Sequence, residues 1–187
     1  MSSRFERIDT PLDGLVLLQR RPIADARGFL ERLYCEDEIQ AVHPSMRVVQ
    51  ANRSLTLRCG TVRGMHWQSP PYADAKLIAC LRGSVFDVAV DLRRGSPTFL
   101  RWHGELLSAE NHRSLFVPAG FAHGFQTLSE DCELLYFHSA AHAPAAENGL
   151  HPQDPRLSIA WPQAIAEMSA RDAAHGFLQD DFEGVVV

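Results

Sequence analysis

Apolar and polar residues alternate with a period of two in several short runs, and this pattern predicts β-strands. The clearest run spans residues 85–92. Its apolar side chains share one face and its two aspartates share the other: Phe86, Val88, Val90 and Leu92 against Asp87 and Asp91. Residues 48–52 and 133–138 follow the same pattern. We therefore expect a sheet built from many short strands.

Two of these runs carry polar side chains on one face, and the pattern leaves two interpretations open. The first run puts Gln50 beside Asn52, and the second groups Leu134, Tyr136 and His138. Such a face either lines an internal cavity or meets solvent, since an antiparallel sheet commonly has one wet side. The pattern alone does not choose between them.

Glycine and proline turn signals separate the runs, a rhythm typical of a β-rich barrel or sandwich. Two helices are also predicted. One is short, at residues 37–43, and the other covers residues 162–177, with Pro162 near its start and Gly176 near its end. The final residues form either a loose tail or, through Val185–Val187, an addition to a sheet edge.

Composition narrows the class of protein. With 187 residues, the chain is expected to form one domain over residues 1–187. A net charge of -5 argues against a general nucleic-acid binder, although a local basic pocket remains compatible with it. No run of about 20 apolar residues is present, and the amino terminus carries charges where a signal peptide needs apolar residues. Four scattered cysteines are expected to be buried thiols. We therefore expect a cytoplasmic protein that spans no membrane.

Two segments have the spacing of the signature segments of a cupin barrel, which is a jelly roll or double-stranded β-helix. They run from Gly60 to Gly83 and from Pro118 to His123. Metal-binding cupins place three histidines and a carboxylate at positions that correspond here to His66, Gln68, Lys76 and His123. A protonated lysine has no lone pair and repels a dication. The resemblance therefore implies a mainly all-β barrel with a few short peripheral helices, no metal, and acid–base chemistry on an organic substrate.

A narrower resemblance comes from the segments Gly60–Gln68 and Arg82–Phe99, together with Lys76. Both segments closely resemble the dTDP-4-dehydrorhamnose 3,5-epimerases. Other stretches match in register: Asp25–Glu31, Gln50–Ser54, Leu107–Asn111, Pro118–Phe125, Glu133–Tyr136 and Asp154–Pro162. The similarity extends from about Leu12 to Asp172.

This resemblance implies a set of catalytic roles. His66 corresponds to the general base, supported by Asp172. Lys76 corresponds to the lysine that stabilises an enolate oxygen, and Tyr136 to the acid that returns a proton from the opposite face. His123 corresponds to a second active-site histidine. Inversion at carbon needs a base and an acid on opposite faces of the sugar, and a fixed cation eases removal of a hydrogen α to a ketone.

The resemblance also implies partners and binding residues. The substrate is a nucleotide sugar, no organic cofactor is required, and the enzyme is a homodimer with an exchanged amino-terminal strand. The positions implied for nucleotide binding are Arg27, Phe29, Glu31, Gln50, Asn52 and Arg63, with the segment around Phe29 reaching into a neighbouring subunit.

Two departures from the family pattern leave the outcome open. The segment 137–142 replaces a polar residue and aromatics, and His151 replaces a usual Trp. Both are expected near the pocket edge. The leading expectation is epimerisation at C3 and C5 of a dTDP-4-keto-6-deoxyhexose. The alternatives are an epimerase acting at one centre, a non-catalytic nucleotide-sugar binding module, and a metal-dependent cupin enzyme.

Overall fold

Two antiparallel sheets dominate the computed structural model, which describes residues 3–44 and 46–187. The strands of the two sheets are β1 Phe5–Asp9, β2 Val16–Arg20, β5 Gln50–Thr56, β6 Val62–Gln68, β7 Lys76–Arg82, β8 Ser84–Asp91, β9 Trp102–Ser108, β10 Arg113–Val117, β11 Phe121–Thr127, β12 Cys132–His138 and β13 Glu147–Gly149. A separate hairpin consists of β3 Ile23–Asp25 and β4 Gly28–Leu30. The helices are α1 Glu36–Gln40, α2 Ala170–Ala173 and a 3₁₀ turn, Pro144–Ala146.

The order of strands is β1-β2-β10-β7-β12-β5 in the six-stranded sheet and β13-β6-β11-β8-β9 in the five-stranded sheet. Strands distant in sequence are thus neighbours in space, as in a jelly roll. The predicted mainly all-β jelly roll with short peripheral helices is confirmed. No helix among residues 3–44 and 46–187 is long and apolar enough to cross a membrane.

Apolar side chains pack on both faces of each sheet, so alternation along a strand decides which core each residue joins. In β8, Val85 and Ala89 enter the core between the sheets, which also holds Ile78 and Leu134. The opposite face of β8 packs under the carboxy-terminal segment, with Phe86, Val88, Val90 and Leu92 in contact with Leu157 and Ile159. The predicted faces of this strand are confirmed.

The outer face of the six-stranded sheet is covered by α1. Ile39 from this helix is fully buried against Leu18, Leu77 and Phe116 of the sheet. The helix predicted at residues 37–43 is therefore confirmed, with its bounds shifted toward the amino terminus.

The helix predicted at residues 162–177 is wrong, because only Ala170–Ala173 is helical. Residues 163–167 are instead irregular and bond to β11 and to the chain around the start of β6. Gln163 donates its backbone N–H to the Gln126 side chain, and Ala166 donates to the Gly60 carbonyl. Val62 in turn donates to the Glu167 carbonyl. These tertiary hydrogen bonds outweigh the local helix signals.

Two smaller predictions meet mixed outcomes. Val185 forms an isolated parallel bridge with Arg93, just beyond the end of β8, so the predicted addition of Val185–Val187 to a sheet edge is limited to this one residue pair. All four cysteines are free thiols, but only Cys80 and Cys132 are buried, while Cys35 and Cys59 are half-buried.

Candidate active site

A cavity of about 290 Å³ opens between the two sheets. Its five-stranded wall contributes Arg63 and His66 from β6 and His123 from β11. Its six-stranded wall contributes six polar side chains from β5, β7 and β12: Gln50, Asn52, Ser54, Lys76, Tyr136 and His138. The polar faces predicted for residues 48–52 and 133–138 therefore line a cavity, which settles the choice that the pattern left open.

His66 is held by a buried carboxylate. Its Nε2 lies 2.8 Å from Oδ1 of Asp172, whose side chain is only 4% exposed. Asp172 also accepts the backbone N–H of Gly64 at 3.3 Å. Because a carboxylate accepts, Nε2 of His66 carries the hydrogen, and Nδ1 is left with a free lone pair that can take a proton.

Gly64 makes this arrangement possible. Its φ is +132°, and a Cβ there would lie 2.5 Å from Cα of Gly124 on the adjacent strand. Only glycine fits a backbone contact this close in that conformation. The resulting close approach of β6 and β11 sets His66 directly opposite His123 in the strand register.

The pKa of His66 lies below its ordinary value of 6.5. Burial is the largest cause, the hydrogen bond and charge of Asp172 oppose it in part, and the Arg171 guanidinium lowers the pKa further. Nη2 of Arg171 lies 3.2 Å from Nε2 of His66. A neutral imidazole at neutral pH is the state a base needs.

His123 has its own carboxylate partner. Its Nε2 lies 2.9 and 3.0 Å from the two oxygens of Asp87, and Asp87 is fully buried. The ring of His123 meets the ring of Tyr136 edge-on, with centroids 6.2 Å apart. One wall of the cavity thus carries two neighbouring histidines, each hydrogen-bonded to a buried aspartate behind it.

Lys76 stands on the opposite wall. Its Nζ lies 3.2 Å from Oδ2 of Asp74, and its side chain is 12% exposed. Burial raises the pKa of Asp74, but the hydrogen bond from His138 and the charge of Lys76 outweigh burial and hold that pKa below its usual range. The ammonium therefore faces the cavity beside an ionised carboxylate.

Tyr136 lies on the same wall as Lys76, and its hydroxyl is 3.5 Å from Oγ of Ser54. Burial raises the pKa of this phenol well above its ordinary value. The hydroxyl consequently stays protonated at neutral pH and can donate a proton.

The residues at the corresponding cupin metal positions do not fit a metal. The Gln68 side chain is hydrogen-bonded to the backbone at both of its polar atoms. Its Nε2 donates to the Tyr72 and Ala141 carbonyls, and its Oε1 accepts the backbone N–H of Ala143. Lys76 offers no lone pair while protonated. His66, Asp172 and His175 do place ligand atoms within 4.8 Å of one another. However, the Arg171 guanidinium lies against the same imidazole nitrogen.

Three predicted binding residues lie outside the cavity of their own chain, on or beside the β3–β4 hairpin. Arg27 pairs with Asp25 in solvent, with its side chain 89% exposed. Phe29 is 63% exposed and touches His112 edge-on. Glu31 lies 2.8 Å from Nδ1 of His112 and 3.3 Å from Nε of the buried Arg20.

Sequence reasoning missed several residues that complete the site. They are Asp74, Asp87, His138 and Arg171. The alternation in β8 already placed Asp87 on the face opposite the apolar residues, and this was a usable signal. Of the two departures from the family pattern, residues 138, 140 and 142 do line the cavity. His151 does not, because it packs edge-on against Phe177, with ring centroids 5.1 Å apart.

This chain is similar in sequence and fold to proteins of one family. The family model described as dTDP-4-dehydrorhamnose 3,5-epimerase matches residues 9–180. The chain is 47% identical over 167 residues to a dTDP-4-dehydrorhamnose 3,5-epimerase of Pseudomonas aeruginosa, covering 88% of this chain and 91% of that protein. It is 42% identical over 162 residues to a dTDP-4-dehydrorhamnose 3-epimerase of Streptomyces niveus, covering 86% and 78%.

A solved structure is similar over nearly the whole chain. It is a dTDP-6-deoxy-D-glucose-3,5-epimerase of Legionella pneumophila in complex with dTDP-4-keto-L-rhamnose. The TM-score is 0.91 at 36% identity, covering 98% of each chain. With the matching family model and these relatives, the resemblance found in the sequence is confirmed: the chain belongs to the dTDP-4-dehydrorhamnose 3,5-epimerase family.

Proposed function

We propose that this chain, as a single domain over residues 1–187, epimerises C3 and C5 of a dTDP-linked 4-keto-6-deoxyhexose. The observation that carries the proposal is the placement of His66 and Tyr136 on opposite walls of one cavity. A sugar ring between the two sheets would present one face to the imidazole and the other to the phenol. Inversion requires this geometry, because the proton must leave from one face and return to the other.

The proposed reaction proceeds in two proton transfers at each carbon. Nδ1 of His66 takes the hydrogen α to the C4 ketone, the C–H electron pair moves into the enolate, and charge develops on the ketone oxygen. The Lys76 ammonium stabilises that oxygen. Tyr136 then donates its hydroxyl proton to the carbon from the opposite face, and the ketone is restored. Before the second carbon reacts, the His66 imidazolium returns its proton to solvent and the Tyr136 phenolate takes a proton from solvent. No oxidant, reductant or metal takes part.

Asp172 has an indirect role in this proposal. It holds His66 in the tautomer with hydrogen on Nε2, and it stabilises the imidazolium once the proton has been taken. Asp87 lies against Nε2 of His123 just as Asp172 lies against Nε2 of His66, and the two histidines are on neighbouring strands. We propose that His123 completes the polar wall beside the reacting carbons.

Nucleotide binding is proposed to involve two chains. Gln50, Asn52 and Arg63 line the cavity from their own chain. The β3–β4 hairpin leaves Ile23, Phe29 and Leu30 at least half exposed, an apolar surface that a second protomer would cover. We propose a homodimer in which this hairpin, with Arg27, Phe29 and Glu31, reaches the cavity of the other protomer. A sedimentation mass near twice 20.9 kDa supports the dimer, and a mass of one chain refutes it. The cytoplasm is the proposed location.

The test of the activity is incubation with dTDP-4-keto-6-deoxyglucose in D₂O, followed by proton NMR. The proposal expects solvent deuterium at both C3 and C5. Incorporation at neither carbon, with folded protein, refutes it. Binding of dTDP without exchange would assign the non-catalytic module, and stoichiometric iron, manganese or zinc required for exchange would assign the metal-dependent alternative.

A single-centre epimerase is the second candidate. Two observations favour it: a relative that matches most of the chain is a 3-epimerase, and residues 138, 140 and 142 of the departing segment line the cavity. Deuterium at C3 alone, with C5 unchanged after prolonged incubation, would select this candidate.

A further inference from the structure

One wall of the cavity carries an unbroken chain of hydrogen bonds that ends at Lys76. The backbone N–H of His142 donates to Oε1 of Gln50 at 3.0 Å, and Nε2 of Gln50 donates to Oδ1 of Asn52 at 3.2 Å. Nδ2 of Asn52 lies 3.3 Å from Nε2 of His138. Nδ1 of His138 lies 2.8 Å from Oδ2 of Asp74, the oxygen that also pairs with Lys76.

The direction of this chain is fixed at both ends. At one end a backbone N–H can only donate, so Gln50 must present its oxygen there and its NH₂ to Asn52. At the other end the ionised Asp74 can only accept, so His138 must carry its hydrogen on Nδ1. The Nε2 atom of His138 is then an acceptor for Asn52, and every donor meets an acceptor.

Neutral His138 in this tautomer has a consequence for the cavity. The Gln50 and Asn52 amides each use one N–H within the chain of hydrogen bonds, and their second N–H has no protein acceptor among the residues that the structure describes. Both residues line the cavity. The two amides can therefore donate hydrogen bonds into the cavity. Such donors suit an acceptor-rich ligand such as a diphosphate or the carbonyl groups of a nucleobase.

Protonation of His138 would reverse this arrangement. An imidazolium donates from both nitrogens, so Asn52 would have to turn its oxygen toward His138. Its NH₂ would then face the NH₂ of Gln50, and a rotation of Gln50 would set that NH₂ against the backbone N–H of His142. At least one contact of the chain would then be donor against donor, and the hydrogen bond made there would be lost.

We propose that His138 is a positioning residue: with hydrogen on Nδ1 alone, it keeps Gln50 and Asn52 oriented so that their N–H groups point toward the nucleotide. Protonation of His138 at Nε2 would disturb that orientation, and nucleotide binding would weaken. The charged and titratable groups facing His138 are Asp74 and Lys76 across from it, Tyr136 on its own strand and His142 beyond Gln50. The Tyr136 ring stacks on His138, with centroids 6.0 Å apart and planes at 21°. The proposal rests on the proposed function for the identity of the ligand.

The binding test compares calorimetric titrations of dTDP between pH 8 and pH 5.5 for three proteins: wild type, His138→Gln and His151→Gln. A glutamine at 138 can accept from Asn52 and donate to Asp74 but does not titrate. We expect equal affinity near pH 8 and, at pH 5.5, binding about tenfold tighter in His138→Gln than in wild type, the magnitude of one such hydrogen bond. His151→Gln, outside the cavity, should follow wild type. A ratio of affinities that does not change with pH overturns the proposal.

A second measurement needs no variant. Nitrogen-15 NMR of the wild-type protein at pH 7.5 should show the His138 ring protonated at Nδ1 alone. A ring protonated at Nε2, or at both nitrogens, overturns the proposal even if His138→Gln fails to fold. Failure of the proposed function would look different: no binding of dTDP and no deuterium exchange, with the His138 tautomer unchanged.

Discussion

Replacement of Asp172 by asparagine should abolish most of the activity by inverting the tautomer of His66. The backbone N–H of Gly64 donates to the side chain of residue 172 at 3.3 Å, so the asparagine oxygen is expected to keep that contact. Its NH₂ would then face Nε2 of His66, which lies 2.8 Å from the present carboxylate oxygen. Arg171, 3.2 Å from the same nitrogen, would favour the same outcome because a guanidinium only donates.

The size of the expected loss in kcat follows from the loss of the base. With Nε2 as acceptor, the hydrogen of His66 moves to Nδ1, the nitrogen that must take the substrate proton. Asparagine in place of the aspartate of a histidine–aspartate pair lowers kcat by about ten-thousandfold when the wrong tautomer results. This corresponds to about 5.5 kcal/mol in the barrier. The assay is the rate of deuterium incorporation at C3 and C5 by NMR.

Asp131→Asn is the control, since the Asp131 side chain is 47% exposed, pairs only with the surface Arg82 at 3.3 Å among the described residues, and lies outside the cavity. It should leave the exchange rate within a few-fold of wild type. An Asp172→Asn protein that melts like wild type and exchanges within tenfold of its rate would refute the role assigned to the pair.

Three further substitutions test other parts of the site. Lys76→Met should lower kcat about 100- to 1000-fold, because one preformed stabiliser of the enolate oxygen is lost, and steady-state kinetics will show it; an unchanged kcat would remove Lys76 from the mechanism. In wild type the neutral, active form of His66 is lost as pH falls through a pKa below 6.5, so activity should persist to mildly acidic pH. The Arg171 guanidinium lowers that pKa, so Arg171→Gln should move the acid limb of the kcat/KM profile to higher pH, and a limb that stays or moves down would contradict this cause. Gly64→Ala should destabilise the fold by about 1–3 kcal/mol in urea unfolding, because its Cβ would lie 2.5 Å from a backbone carbon of the next strand; unchanged stability would show that the strands can separate at no cost.

Much of the fold could be predicted from local patterns, because strands in this protein alternate cleanly. Both faces of β8 followed from its sequence, including the face that carries Asp87. The helix predicted at residues 162–177 failed for a non-local reason. Its backbone groups bond to Gly60, Val62 and Gln126, which are distant in sequence, and no local propensity reports them.

The residues of the candidate site also fall into two groups, those that the sequence could indicate and those that only the structure shows. The spacing of the two cupin-like segments nominated His66, Lys76 and His123, and the family resemblance added Tyr136; the structure brings all four to one cavity. The carboxylates that hold them were not all foreseeable. Asp74 precedes β7 and reaches His138 at the end of β12, so their contact depends on the strand register that sets His138 opposite Lys76.

Proton removal and proton return are assigned to different residues on opposite walls of the cavity, and a single substitution can separate the two steps. Tyr136→Phe removes the phenol but leaves His66, Asp172 and Lys76 in place. We expect this protein still to exchange substrate hydrogen for deuterium in D₂O while forming little inverted product, so the ratio of exchange to product rises well above that of wild type. Equal loss of exchange and product would show that Tyr136 is not a separate proton donor.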